Sequence, residues 1–256
     1  MNTSVREWGQ VDAPPVLLLH CSLAHSGAWD RVARRLSDRF RLIAPDMVGH
    51  GRGPEGDRGR DYHDQLTEQA RALLPDGPVH LGGHSFGATV ALRLAEEVPE
   101  RVTSLTLIEP VLFAAAPDGP EKRANAEALS EMVPMIARGH TADAARLFLS
   151  VWGAGIPFDE MPAEQAAYMA ERMWIIAAQQ PALHEDAARL LPRLGEVRCP
   201  VLLLEGAASP PVIGQILDSL EAGLQKARRE VIDGAGHMAP VTHPDDVAER
   251  IGRFLD

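Results

Sequence analysis

A serine between two glycines is the residue of this chain whose surroundings best suit chemistry. The segment VHLGGHSFGATVALRLA (79–95) has the pattern of a strand that runs into Gly83-His84-Ser85-Phe86-Gly87 and then directly into a helix. So tight a turn holds the serine in a strained backbone conformation and exposes its hydroxyl, while the glycines let strand and helix approach closely. The free N–H groups at the helix start then lie where an oxyanion would form. We expect Ser85 to be a nucleophile; the alternative is a glycine-rich turn with an idle serine.

Six short apolar runs alternate with helical patterns and must position this turn. Continuous apolar runs of this length are typical of a parallel sheet that is covered on both faces. The alternation of strand and helix predicts right-handed crossovers and an α/β fold with a doubly wound, mostly parallel sheet. The runs are VLLLH (16–20), RLIAPD (41–46), VHLGG (79–83), SLTLIEP (104–110), VLLLEG (201–206) and REVIDG (229–234).

One interval breaks this alternation. Residues 113–194 contain no convincing strand; their pattern is helical, rich in alanine and interrupted by prolines. We expect a helical cap inserted between the two parts of one core, residues 1–112 and 195–256. Methionine and aromatic side chains in this interval suit an irregular apolar ligand, although each of them could also simply pack the cap onto the sheet. The predicted substrate-binding residues are Trp152, Trp174 and Met135.

Four segments together resemble the α/β-hydrolase family. They are the turn around Ser85, VLLLHCSLAHSGAW (16–29), APDMVGHGRG (44–53) and IDGAGHMAPVTHPDDVAERIGRFL (232–255). The likeness extends over nearly the whole chain, and it implies the α/β-hydrolase fold with the helical cap as its insertion. A serine rather than an aspartate at the turn disfavours the dehalogenase and epoxide-hydrolase chemistry that the resemblance associates with a carboxylate nucleophile.

The resemblance also implies a base and an oxyanion hole. The base is His237, in the loop GAGHMAP after the last strand. A serine hydroxyl is a weak nucleophile unless a neighbouring imidazole takes its proton, and histidine can both take and return that proton. One oxyanion donor is expected to be the N–H of Phe86, and the resemblance puts the other on Ser22, with Leu23 as the next candidate. Cys21 stands where the family usually has glycine, and we do not expect it to be a reactive thiol.

The acid of the expected triad has no obvious position. In the family it usually follows the strand VLLLEG, but here that place holds Ser209, with no Asp or Glu in the next several residues. Some relatives carry it after the preceding strand of the sheet, here SLTLIEP, which ends with Glu109. A strand end opens into the crevice where such sheets hold their active sites, and the order Ser85, Glu109, His237 fits the family. Glu205 is an alternative, as is no carboxylate at all, with Ser209 or water orienting the ring.

The composition limits the partners. The chain has 256 residues, 45% of them apolar, and a formal net charge of −11. It can therefore bury a large core, and it lacks the basic cluster that nucleic acid or an anionic membrane would require. Cys21 and Cys199 show no metal-ligand spacing, and no apolar run is long enough for a membrane span or a signal segment. We expect a cytoplasmic protein with no cofactor, no metal and a small-molecule substrate that has an apolar part; the oligomeric state stays open.

These residues predict a serine hydrolase that cleaves a carboxylic ester, lactone or thioester through an acyl-enzyme on Ser85. Two alternatives within the fold use the same serine and histidine. They are carbon–carbon bond hydrolases, which usually have the aspartate that is missing here, and cofactor-free perhydrolases. An alternative of another class is a non-catalytic ligand-binding protein on the same scaffold, against which the intact Ser85 and His237 argue.

Overall fold

A seven-stranded sheet forms the centre of the computed structural model, which describes residues 4–256. The strands are β1 (Val5–Trp8), β2 (Pro15–Leu19), β3 (Arg41–Pro45), β4 (Val79–His84), β5 (Val102–Ile108), β6 (Val201–Gly206) and β7 (Ala227–Ile232). Their order across the sheet is β1-β3-β2-β4-β5-β6-β7. All neighbouring pairs are parallel except β1 and β3. The predicted α/β class with a mostly parallel sheet is confirmed.

Strand β1 is not among the predicted strands. Its sequence, VREW, has no continuous apolar run, and its residues are half-buried or exposed. It lies at the edge of the sheet, and among residues 4–256 it pairs with β3 alone. An edge strand needs less apolar surface than a central one, so hydropathy alone does not reveal it.

Eleven α-helices surround the sheet within the described residues. They are α1 (Asp30–Leu36), α2 (Tyr62–Ala72), α3 (Phe86–Glu97), α4 (Pro120–Ala137), α5 (Thr141–Trp152), α6 (Ala163–Glu171), α7 (Met173–Ala178), α8 (Gln180–His184), α9 (Pro211–Gly223), α10 (Ala239–Thr242) and α11 (Pro244–Leu255). None of these helices is long and apolar enough to cross a membrane.

The central strands are apolar on both faces because helices cover both faces. In β2, Leu17 and Leu19 pack in one core layer together with residues of α2, α3 and α9. Val16 and Leu18 point to the opposite face and pack with residues of α1 and α11. This two-sided burial accounts for the continuous apolar runs in the sequence.

In the described chain no strand lies between β5 and β6. The segment consists of helices α4 to α8, short 3-10 turns and the loops that join them. They enclose an apolar cluster of their own that includes Met132, Phe158 and Met173. One residue of the core, Leu23 in the loop after β2, packs into this cluster. The division of the chain at residues 113 and 194 remains a prediction.

Gly83 allows α3 to begin directly beside β4. A Cβ atom on Gly83 would lie 2.3 Å from the carbonyl oxygen of Gly87 and 2.6 Å from the Cα atom of Ala88. Both neighbours are backbone atoms of α3 and cannot rotate away, so only glycine permits this approach.

We predict that Gly83→Ala lowers the free energy of unfolding by about 1–3 kcal/mol, because strand and helix must separate to admit the methyl group. The measurement is urea unfolding followed by circular dichroism. Gly195→Ala is the matched control, since a Cβ atom there would meet nothing within 4 Å. Equal stability of the two variants would contradict this account of the turn.

Candidate active site

Ser85 stands at the junction of β4 and α3 in a conformation that L-residues rarely adopt. Its φ is 57° and its ψ is −119°. Its N–H donates to the carbonyl of Ile108 at 2.9 Å, so β5 supports the turn. The side chain is 6% exposed and reaches the two pockets described below. Strained backbone of this kind is a feature of functional sites, and here it directs the hydroxyl out of the end of the sheet.

His237 lies in the loop between β7 and α10 and contacts Ser85 directly. Its Nε2 atom is 3.0 Å from Ser85 Oγ. The carbonyl of His237 accepts a hydrogen bond of 2.7 Å from Nε2 of His84. Trp152 packs edge-on against the His237 ring, with 4.8 Å between ring centroids. The hydrogen bond from His84 therefore fixes the backbone of His237, and the contact with Trp152 fixes its ring.

Glu109 faces the opposite side of the same imidazole. Its Oε2 atom is 3.0 Å from His237 Nδ1, and its side chain is fully buried. With the proton on Nδ1, the ring donates to Glu109 and its Nε2 accepts from the Ser85 hydroxyl, as a proton-accepting base requires. Glu109 follows β5 directly and has a φ of 51°, so a second strained residue turns a side chain into the site.

The other oxygen of Glu109 binds the segment where the sequence lacks an acid. Oε1 accepts the N–H of Gly206 at 2.6 Å and the hydroxyl of Ser209 at 2.8 Å. Ser209 thus contacts the carboxylate, not the imidazole. Glu205 lies elsewhere, because its Oε2 pairs with Nε of Arg229 at 2.9 Å. Of the alternatives that the sequence left open, only Glu109 meets the His237 ring within the described residues; its role in a reaction stays a prediction.

The loop after β2 carries Ser22, which lines the same two pockets as Ser85. The N–H of Leu23, the second candidate donor, is already occupied, because it donates to Nε2 of His50 at 3.0 Å. The N–H of Ser22 makes no hydrogen bond to any residue of 4–256. Phe86 is the first residue of α3, so its N–H has no partner within the helix. Ser22 and Phe86 therefore remain the predicted oxyanion donors.

Cys21 fits into this loop as a buried thiol. It is 3% exposed, and burial raises its pKa to about 12. Its carbonyl accepts a hydrogen bond from Nδ1 of His20 at 2.8 Å. A thiol with so high a pKa is a poor nucleophile at neutral pH. The Cβ atom in place of a glycine is thus accommodated without making the thiol reactive.

Two pockets meet at Ser85. The small pocket has a volume of about 50 Å³ and is bordered by residues such as Phe113, Leu129 and Leu183. The large pocket has a volume of about 650 Å³ and is bordered by residues such as Ile156 and Met169. Five residues line both pockets: Ser22, Ser85, Phe148, Trp152 and His237.

The three cap residues predicted to bind substrate have different positions. Trp152 lines both pockets. Trp174 lines neither, because its ring packs against Tyr62 at a centroid distance of 5.6 Å and lies under the guanidinium of Arg58. Met135 also lies outside both pockets and packs on the apolar cluster of the cap. Trp174 and Met135 thus use apolar surface for packing, and their contact with a substrate stays a prediction.

Gln179 is a site residue that the sequence analysis missed. It is 2% exposed and lines the small pocket. Its Nε2 atom lies 2.8 Å from Ser22 Oγ, and its Oε1 atom lies 3.0 Å from the same hydroxyl. The cap is therefore bonded to the loop that carries Ser22. A glutamine in a helical stretch gives no local sign of this contact, because the sequence does not show which way it points.

Within residues 4–256, no group of three or more His, Cys, Asp or Glu side chains is arranged to hold a metal ion. The hydroxyl of Ser85, the imidazole of His237 and the carboxylate of Glu109 form a line of hydrogen bonds, and the N–H groups of Ser22 and Phe86 are the predicted oxyanion donors. Such a set can activate a serine for attack on a carbonyl and stabilise the oxyanion that results.

Known proteins are similar to this chain in sequence and in fold. A family described as the alpha/beta hydrolase family matches residues 16–250. The chain is 30% identical over 241 residues to the pimeloyl-[acyl-carrier protein] methyl ester esterase of Nitrosomonas europaea, with 91% of this chain and 92% of that protein covered. It is 31% identical to lipase LipV of Mycobacterium tuberculosis, with 95% and 94% covered. The solved enol-lactonase of Burkholderia xenovorans superposes with a TM-score of 0.77 at 21% identity, covering 99% of this chain and 96% of that chain.

We predict that Glu109→Gln lowers kcat by about a hundredfold to ten thousandfold. The uncharged amide of glutamine cannot stabilise the positive charge of the imidazolium, nor does it favour the tautomer with the proton on Nδ1, as the carboxylate does. Steady-state hydrolysis of a 4-nitrophenyl ester measures the loss. Glu205→Gln is the matched control and keeps kcat near that of the parent, since Glu205 pairs with Arg229. A larger loss in Glu205→Gln than in Glu109→Gln would contradict the assignment.

Four buried histidines make a second prediction possible. Burial lowers the pKa of His20 to about 4, those of His63 and His84 to about 3, and that of His50 well below its ordinary value. The unfolded chain takes up protons at these positions near pH 6.5, whereas the folded chain does not until far lower pH. The stability that they contribute is thus complete above pH 6.5 and is lost as the pH falls below it.

We therefore expect Tm to fall between pH 7 and pH 5, and His63, whose pKa is about 3 in the folded chain, to account for about 2 kcal/mol of the lost stability. His63→Gln should flatten the dependence of Tm on pH. The matched control is His140→Gln, whose side chain is 63% exposed, and it should leave the slope unchanged. A slope that is the same in all three proteins would refute this account.

Proposed function

Because the chain belongs to the alpha/beta hydrolase family, we propose that it is a serine hydrolase that cleaves a carboxylic ester, lactone or thioester through an acyl-enzyme on Ser85. The observation that carries this proposal is the line of two hydrogen bonds from Ser85 to His237 and from His237 to Glu109, each 3.0 Å long. The esterase and the lipase among its relatives, both named for ester cleavage, make an ester the first choice of substrate.

The acylation step follows from these contacts. Ser85 Oγ attacks the carbonyl carbon of the ester while His237 Nε2 takes the hydroxyl proton. The carboxylate of Glu109 stabilises the imidazolium that forms and keeps the ring in its orientation. The N–H groups of Ser22 and Phe86 donate to the oxygen on which negative charge develops. When the tetrahedral intermediate collapses, the alcohol leaves with the proton from His237.

Deacylation repeats these roles with water in place of the serine. His237 Nε2 takes a proton from a water molecule, which attacks the acyl carbonyl, and the proton then returns to Ser85 Oγ as the acid departs. The open side of the large pocket gives water access to this centre.

We keep the cytoplasm as the expected compartment, supported by two cysteines, Cys21 and Cys199, that are buried and unpaired.

We predict that a fluorophosphonate probe labels the protein at Ser85, as peptide mass spectrometry would show. Ser85→Ala should abolish the labelling and lower the hydrolysis of 4-nitrophenyl acetate by about a thousandfold or more. Ser150→Ala, which removes an exposed serine of the cap, is the control and should retain both properties. Hydrolysis that survives in Ser85→Ala would overturn the mechanism. Absence of labelling in the parent protein would favour a ligand-binding scaffold.

A further inference from the structure

The junction of the two pockets divides any bound ester at its carbonyl group. Ser85 and His237 line both pockets, so a carbonyl carbon in reach of Ser85 Oγ sits at their common mouth. The two substituents of that carbonyl, the acyl chain and the alkoxy group, must then enter different pockets. The sizes of the pockets therefore limit the two arms of the substrate separately.

The small pocket admits only a short arm. Its volume of about 50 Å³ is less than a tenth of the 650 Å³ of the large pocket, so the shorter arm of a substrate fits here. Its wall includes a row of packed rings, in which Phe113 lies 5.8 Å from Trp152 and 4.7 Å from His184 between ring centroids. Rings packed in this way resist displacement, since protein interiors are close-packed.

The large pocket admits a long apolar arm. Its volume of about 650 Å³ is in the range of sites that hold whole drug-sized molecules. Methionines 161 and 169 contribute flexible apolar surface to its wall. At its rim, Ile156 is 54% exposed and Val241 is 38% exposed, so the apolar lining continues to the solvent. An arm that outgrows the pocket can therefore extend along this rim.

Neither pocket offers a lysine or arginine side chain to a negatively charged substrate, although the imidazole of His25 also lines the large pocket. Among the described residues that line the two pockets, none is Lys or Arg, and Glu164 is the only carboxylate. Burial lowers the pKa of His184 in the small pocket, so this ring is uncharged at neutral pH. Glu109 places one more buried carboxylate behind His237. A carboxylate on the substrate would lose its hydration here without gaining a partner of opposite charge.

We infer that the substrate is an uncharged ester with one short arm, seated in the small pocket, and one long apolar arm, seated in the large pocket. That the substrate is an ester rests on the proposed function. That it is asymmetric and uncharged is inferred from the sizes and the lining of the two pockets.

Three isomeric esters test the asymmetry at constant hydrophobicity. Octyl acetate, methyl nonanoate and pentyl pentanoate have the same formula, but only the last has two arms of similar length. We expect kcat/KM for at least one unsymmetrical isomer to exceed that for pentyl pentanoate by about tenfold or more, since a pocket discriminates poorly fitting methylene groups by such factors. The inference is overturned if pentyl pentanoate is cleaved as fast as both others.

Binding of ketones tests the asymmetry of the pockets independently of ester hydrolysis. The isomers 2-undecanone and 6-undecanone present the same carbonyl but cannot be cleaved. Isothermal titration should give a Kd for 2-undecanone that is lower by about tenfold or more. Equal affinities, or a preference for the symmetrical ketone, would overturn the inference. Failure of the proposed function alone would appear as ketone discrimination without ester turnover.

A pair of variants on α4 assigns the short arm to the small pocket. Leu129 lines that pocket, whereas Val133, one helical turn further along, does not and is 38% exposed. Leu129→Ala enlarges the small pocket and should raise the rate with pentyl pentanoate relative to the unsymmetrical esters. Val133→Ala should leave this ratio at the parent value. An unchanged ratio in Leu129→Ala, with the protein folded by circular dichroism, would refute the assignment.

A matched set of methyl esters tests the neutrality. Methyl hexanoate, the monomethyl ester of adipic acid and its primary amide differ only in the terminal group: methyl, carboxylate or carboxamide. We expect kcat/KM for the carboxylate to be lower than that for the carboxamide by about tenfold or more, because only the carboxylate adds a charge, and no Lys or Arg lines either pocket to pair with it. A carboxylate ester that is cleaved as fast as the amide would show that the pockets accept acidic substrates, against the inference.

Discussion

The carboxylate of Glu109 is the group on which the geometry of the site depends. One oxygen binds the imidazole of His237, and the other binds the backbone of Gly206 and the hydroxyl of Ser209. Glu109 itself follows β5, and its partners belong to the end of β6, to the turn after it and to the loop after β7. One buried group therefore joins three neighbouring segments at the same end of the sheet. A buried carboxylate is costly unless its oxygens are paired. The folded chain therefore satisfies Glu109 and positions His237 through the same contacts.

A second set of contacts joins the cap to the loop after β2. Gln179 bonds the hydroxyl of Ser22, and the side chain of Leu23 packs among apolar residues of the cap. The N–H of Leu23 is meanwhile held by His50. Cap packing and the placement of the Ser22 N–H are thus one structural problem, because a shift of the cap would displace the loop that supplies the expected donor.

The sequence predicts the sheet and the turn at Ser85 because both depend on local patterns, namely apolar runs and a glycine-flanked turn. His237 and Glu109 follow instead from the resemblance to the family, which leaves Glu205 or no carboxylate open as alternatives to Glu109. The sequence does not show in which direction a side chain points. Trp174 and Met135 have the composition of a ligand site, and in the structure both make packing contacts. Gln179 looks like any polar helix residue, and only the packing of the cap turns it towards Ser22. The contact of Ser209 with Glu109 spans about a hundred residues, and no local pattern encodes a contact at that distance in the chain.

The location of Glu109 has a consequence for how this chain can be rebuilt. The residue follows β5 directly, and the helical interval begins only a few residues later, after Pro110. Glu109 and the helical interval therefore share one short joint, whereas the segment after β6, which holds Ser209, carries no carboxylate that binds the ring. A chimaera that imports a foreign helical interval must take its upstream junction beyond Glu109 to keep this carboxylate and its φ of 51°. The two junctions of the helical interval therefore differ: the position of the downstream junction, before β6, is less restricted than that of the upstream junction, after Glu109.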